Sequence, residues 1–181
     1  MKKLGARFFA LFLMLILLLP GCFGNPDGDD DEGTPFPEFS ATADDNMTYS
    51  LSDFAGSPFI VLFSAEWCDT PCHMTMHAIN ADLMEPAMIV MSTDPQDNPQ
   101  GITLQDWHDK ADAHDDEEGN SGETLEFPFM KGVAASEELQ VDARPTIFFV
   151  NSGGHISDIH EGALTDQNMI QSYWVNAGGT I

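Results

Sequence analysis

The feature that most constrains this chain is a junction near residue 65. Residues 58–63, Pro58-Phe59-Ile60-Val61-Leu62-Phe63, form one unbroken apolar run. Such a run fits a strand buried on both faces, as in parallel sheet. Residues 71–85 follow with Met76, Ile79 and Leu83 at three-and-four spacing, which predicts a helix that Pro86 stops. Between strand and helix stands Trp67-Cys68-Asp69-Thr70-Pro71-Cys72. A helix N-terminus favours a thiolate through its unpaired N–H groups and its dipole. Cys68 is expected at that first position, and Cys72, four residues on, faces the same side. On helical backbone their Cα atoms lie roughly 6 Å apart, within the range a disulfide tolerates. Pro71 is allowed in the first turn because its missing N–H had no partner there. Two thiols so placed read as redox-active or metal-binding, with a structural disulfide as the plainer alternative.

The remaining elements follow from periodicity. Residues 39–42 and 47–51 predict short strands around the turn cluster Asp44-Asp45-Asn46. Residues 87–91 and 146–150 predict two further core strands. Residues 103–114 predict an acidic helix with Leu104 and Trp107 inward, followed by a polar loop over 115–123. Residues 136–139 predict a short helix. Asn151-Ser152-Gly153-Gly154 predicts a hairpin turn into residues 155–160. Thr165 is the expected N-cap of a last helix through Val175. Strands alternating with helices, then a terminal hairpin, predict an α/β fold: a central mixed sheet with helices on both faces.

The N-terminus reads as an export signal. Lys2, Lys3 and Arg7 precede 12 apolar residues, 8–19. That run matches a secretory h-region and falls short of a span of about 20 residues. Leu19-Pro20-Gly21-Cys22 then resembles a lipobox, which predicts cleavage after residue 21 and lipidation of Cys22. Residues 22–35 carry Asp27, Asp29, Asp30, Asp31 and Glu32 among Gly and Pro, as expected of a lipid-anchored, acidic, disordered linker. The folded domain is expected over 36–181. Localisation is then the outer face of the cell membrane, where disulfides are permitted. With Cys22 lipidated, only Cys68 and Cys72 of the three cysteines remain for chemistry.

All 30 acidic residues lie after Cys22, against three cations, a formal charge of −27 for residues 22–181. Too few cations remain to neutralise phosphates, so nucleic acid is excluded as a partner through a basic face. Charge docking on an anionic membrane is disfavoured for the same reason. The acidity fits a saline environment, where salt screens self-repulsion, or a cationic partner.

Residues 47–68, from Met47-Thr48-Tyr49-Ser50-Leu51-Ser52-Asp53-Phe54 through Phe63-Ser64-Ala65-Glu66-Trp67-Cys68, resemble the opening of TlpA/ResA-type redoxins of the thioredoxin-like superfamily, in the AhpC/TSA-redoxin clan. Ala143-Arg144-Pro145-Thr146-Ile147-Phe148-Phe149-Val150 with Gly153-Gly154 resembles that family's cis-proline strand and closing hairpin. Phe127-Pro128-Phe129-Met130 resembles the segment before it. The resemblance implies a thioredoxin-like fold with an N-terminal β-hairpin extension. It implies that Cys68 attacks, that Cys72 resolves, and that Pro145 packs against the pair through a cis bond. Trp67 belongs to the same motif. Arg144, before the cis-proline, is implied to lie near Cys68 as its closest positive charge. The implied activity is thiol–disulfide oxidoreduction through a mixed disulfide, with no cofactor. The implied partners are extracytoplasmic protein thiols or disulfides and a redox partner protein.

One departure bears on this. The family usually has C-x-x-C, and this chain has C-x-x-x-C. That spacing resembles Sco-type copper proteins, as does Met91-Ser92-Thr93-Asp94-Pro95. A Sco-like copper chaperone is therefore the alternative, with Met76 completing a soft set with Cys68 and Cys72. The histidine such a site needs is expected near position 144, where Arg144 stands. A peroxiredoxin is disfavoured, because P-x-x-x-[TS]-x-x-C needs Thr or Ser three residues before the nucleophile, where Ala65 and Asp69 stand. His73 and His77 at i, i+4 offer a metal face or a solvated one. His108 and His114, with Asp112 and the acids at 115–118, offer a weak cation site.

Overall fold

The computed structural model describes residues 33–83, 86–117 and 124–181. The expected signal peptide, Cys22 and most of the expected linker lie outside them.

Strand β1 (Thr34–Pro35) is followed by β2 (Ser40–Thr42), β3 (Thr48–Ser50), a 3-10 turn (Leu51–Phe54) and β4 (Phe59–Ser64). Then come α1 (Thr70–Asp82), β5 (Met88–Ser92), α2 (Leu104–Glu117), β6 (Phe129–Lys131), α3 (Val133–Glu138), β7 (Thr146–Val150), β8 (His155–Glu161) and α4 (Gln167–Asn176). Six strands make one sheet in the order β1-β8-β7-β4-β5-β6, and β2 and β3 form a separate hairpin. β4, β5 and β6 run parallel, and β7 is antiparallel to both β4 and β8. This is the thioredoxin-like mixed sheet with its N-terminal hairpin.

β4 is central, and all six of its residues are buried. Successive side chains in a strand point to opposite faces. Ile60 and Leu62 therefore join one core, with Met76 and Ile79 of α1, Trp107 of α2 and Ile170 and Trp174 of α4. Phe59, Val61 and Phe63 join the other, with Phe36, Phe148 and Ala135 of α3. The ring of Phe36 lies 6.0–6.4 Å from each of those of Phe59, Phe63 and Phe148, which fastens the start of the folded chain to the sheet.

Several boundaries depart from the sequence reading: the short helix expected over 136–139 spans 133–138, and α2 runs on to Glu117 where a loop is expected from 115. Pairing begins before residue 36: Thr34 and Pro35, inside the expected linker, oppose Ile156 and His155. The partner is distant in sequence, so local composition gives no sign of it. Proline is tolerated there because β1 is an edge strand. α1 ends at Asp82, with Leu83 extended, before Pro86 forbids helix. The cap of α4 is Asp166, whose side chain accepts from the Met169 N–H at 3.0 Å, and not Thr165. Both residue types cap well, and the carboxylate adds a favourable charge at the helix start.

Candidate active site

Register brings the motif residues to one end of the sheet. Ser64 ends β4 opposite Ser92 of β5, and Ser92 lies opposite Lys131 of β6. Phe63 opposes Thr146, so Arg144 and Pro145 enter at the same end. The carboxyl ends of parallel strands are where α/β folds place their chemistry.

From Ser64 the chain turns, with the Cys68 N–H donating to the Ala65 carbonyl at 2.8 Å. Asp69 caps α1 with non-helical backbone and makes no side-chain cap bond, and Pro71 sits in the first turn. Cys68 therefore stands one residue ahead of the cap, and not on helical backbone as the spacing predicts. The turn and the first helical turn still close the pair. Cys68 and Cys72 form a disulfide, S–S 2.05 Å and Cα–Cα 5.9 Å. Cys72 is fully buried and Cys68 is 7% exposed, so Cys68 is the more accessible sulfur. The Arg144–Pro145 bond is cis. The Pro145 carbonyl accepts from the Gly162 N–H at 2.8 Å.

Trp67 is 44% exposed beside the disulfide. Its indole N–H donates to Asp94 Oδ2 at 3.0 Å, and the Arg144 guanidinium covers its ring at 5.3 Å. Arg144 also donates through Nε to Thr93 Oγ1. Asp94 is held below the usual carboxylate range, first by the Gln96 N–H it accepts at 2.9 Å, then by the Trp67 indole and the charges of Lys131 and Arg144, against partial desolvation. Behind this surface Glu66 is fully buried. It pairs with Lys131 and accepts from Ser92 Oγ at 2.6 Å. Lys110 of α2 pairs with Asp69. Sequence reasoning reached Trp67 and Arg144; Glu66 and Asp69 flank the same thiol in the chain. It missed Lys131, Asp94 and Ser92 as their partners, which are remote in sequence and joined only by sheet register.

The histidines are arranged otherwise than the solvated-face reading held. His73 is 1% exposed and its ring lies 5.2 Å from that of His114 on α2. His77 lies 6.4 Å from His114 and bonds the Ala111 carbonyl at 2.8 Å. Burial first, then the charge of His114, push His73 down to about 4, with Lys110 and His77 adding and Asp69 opposing. His108 is separate: its two nitrogens meet Asp44 Oδ2 at 2.6 Å and the Leu125 carbonyl at 2.7 Å. His108 and His114, offered as parts of a weak cation site with Asp112 and the acids at 115–118, thus have different partners, and the side chains at 115–118 lie outside the described residues. Met76 is fully buried in the core that holds both cysteines. Among the described residues no group of three or more His, Cys, Asp or Glu is placed to hold a metal ion.

A model of the AhpC/TSA family matches residues 33–159. The thioredoxin-like protein YneN of Bacillus subtilis is 27% identical over 149 residues, 77% of either chain. The thiol-disulfide oxidoreductase ResA of Oceanobacillus iheyensis is 24% identical over 177 residues, 91% of this chain and 85% of that one. Among solved structures, a thio-disulfide isomerase from Thermus thermophilus superposes with a TM-score of 0.60 at 16% identity, covering 82% of this chain and 98% of that one.

Proposed function

The chain belongs to the AhpC/TSA family and is a thiol–disulfide oxidoreductase of the thioredoxin-like type, and on that premise we propose that it is exported, lipid-anchored through Cys22, and exchanges the Cys68–Cys72 pair with extracytoplasmic proteins. The observation that carries the reading is the Cys68–Cys72 disulfide, with Cys68 the more accessible member, beside a solvent-facing Trp67 at the head of α1.

In the reduced protein the Cys68 thiolate attacks one sulfur of a partner disulfide. A Cys68–partner bond forms, the partner's own S–S bond breaks, and its second sulfur leaves as thiolate. Cys72 then gives up its proton and attacks the Cys68 sulfur. The intramolecular disulfide forms and the partner leaves with two electrons and two thiols once its sulfurs take up protons. From the oxidised protein the same steps run in reverse. Cys68 leads because its sulfur is the reachable one and lies nearest the uncapped helix start.

Insulin reduction with dithiothreitol measures exchange. Cys68→Ser should abolish it, and Cys72→Ser should accumulate mixed disulfides through Cys68. Adducts that map to Cys72 reverse the roles. Cys22→Ser should leave the membrane fraction or remain unprocessed; unchanged retention and processing overturn the anchor. In the copper-delivery alternative, Arg144 occupies the place where a ligating histidine is required, and it is stacked on Trp67. Tight one-to-one Cu(I) binding by the reduced protein, weakened in Met76→Leu, would favour that alternative.

A further inference from the structure

Residues 33–181 contain 25 acidic side chains and three Lys or Arg. All three cations end on one four-residue segment. Lys110 pairs with Asp69, Arg144 covers Trp67, and Lys131 pairs with Glu66. Acidic side chains are available over the whole domain, yet each cation is committed to the turn that carries Cys68.

Lys131 is the most deeply built in. Its partner Glu66 is fully buried two residues before Cys68. Its ammonium also donates to the carbonyls of Asp94 at 3.3 Å and Gln96 at 2.5 Å. Asp94 in turn accepts the Trp67 indole N–H. One ammonium thus joins the buried carboxylate, the loop after β5 and, through that loop, the exposed tryptophan. The next residue keeps the strand close: a Cβ on Gly132 would stand 2.6 Å from Met91 Cβ.

We propose that Lys131 is a positioning residue for exchange, which neutralises Glu66 behind Cys68 and clamps the Asp94–Gln96 loop to Trp67. The proposal rests on Cys68 being the attacking thiol. A buried carboxylate without its cation disfavours a second anion close by. The charged and titratable groups around the Cys68 turn are Glu66 and Asp69 on the turn itself, His73 on α1, Lys110 and His114 on α2, Asp94 after β5, Lys131 on β6 and Arg144 before β7. Among them, the Lys131–Glu66 pair is the one with a fully buried carboxylate.

The test is the alkylation rate of Cys68 against pH in the full-length reduced protein, located by peptide fragment masses. Lys131→Met should slow alkylation at pH 7 by about tenfold and move the profile up by about one pH unit. Glu66→Gln should act in the opposite direction, because it leaves the cation beside the thiol. The double variant should return close to wild type. Unchanged profiles in both single variants, or slowing in Glu66→Gln, overturn the proposal. If Lys131→Met does not fold, the sign of the Glu66→Gln effect decides alone. Failure of the wild-type protein in insulin reduction would instead overturn the oxidoreductase reading, since alkylation needs no turnover.

Discussion

Two regions meet at the head of α1 and are built from opposite materials. On one side, Glu66, Trp67 and Asp69 are held by Lys131, Arg144 and Lys110, and every carboxylate there has a donor. One turn further on, His73 is buried against His114, and the Nε2 atoms of both have no hydrogen-bond partner among the described residues. A buried polar group is stable only when paired or neutral. A domain with three cations cannot pair both regions. It places all three beside the thiol, and leaves the helix–helix contact to rings, of which the buried His73 is held neutral at pH 7. The thiol side is therefore held by paired charges, and the histidine side by a buried ring, His73, that is stable there only while neutral.

A large effect of pH tests that asymmetry. His73 titrates at about 4 in the folded protein, against 6.5 for an unperturbed histidine. Between those values the unfolded chain binds more protons, so stability falls as pH falls from 6.5 toward 4. The loss is on the order of 3 kcal/mol over that window. Asp94 is shifted down from 3.8, so its stabilisation is lost only as pH falls below that value, outside the histidine window. Urea melts at pH 7, 5.5 and 4.5 should show the decline, and His73→Phe, which keeps a ring beside His114, should flatten it. An equally steep decline in the variant would place the acid sensitivity elsewhere.

The two regions also differ in how far the sequence announced them. The apolar run of β4, the cysteine spacing and the glycine hairpin are local signals, and the structure follows them closely. Helical periodicity places Cys72, Met76 and Ile79 inward, as observed. It puts His73 on the flank of that stripe, where burial depends on where α2 crosses. No local signal carries that crossing. Lys131 and Glu66 are 65 residues apart and meet because Ser64, Ser92 and Lys131 share a register row. The scarcity of cations was the available clue: with three for the whole domain, each was a candidate for a dedicated carboxylate. β6 escaped because three residues after Pro128 are too few for a period to show, and β1 because its partner lies at residues 155–156.

A smaller effect separates a stacked cation from a buried one. The Arg144 guanidinium lies over an indole that is 44% exposed, a contact worth about 0.5–1 kcal/mol at such sites. Arg144→Gln should lower stability by no more than that. It should also slow Cys68 alkylation at low salt, less than Lys131→Met does, and the difference should vanish in 1 M salt, where the screening length is about 3 Å. An identical alkylation profile in both proteins at low salt would remove Arg144 from the set of groups that tune the thiol.

The smallest effect is expected at Lys110. Its pair with Asp69 looks equivalent to Lys131–Glu66 when only partners are counted, since each joins a lysine to an acid flanking Cys68. Exposure separates them. The side chains of Lys110 and Asp69 are 50% and 57% exposed, against 26% and 0% for Lys131 and Glu66. Water screens the first pair and solvates either member left alone, so Lys110→Met should change stability by less than about 0.5 kcal/mol. Removing Lys131 strands a carboxylate that water cannot reach, and such losses run to about 3–5 kcal/mol. Asp69 makes no side-chain cap bond, so freeing it from Lys110 also leaves it able to turn toward the open N–H groups of α1. That movement would offset part of the small loss. Melting of the two variants side by side is the measurement. A Lys110→Met loss as large as that of Lys131→Met would mean that burial does not divide the three cations, and that the turn responds to its total charge alone.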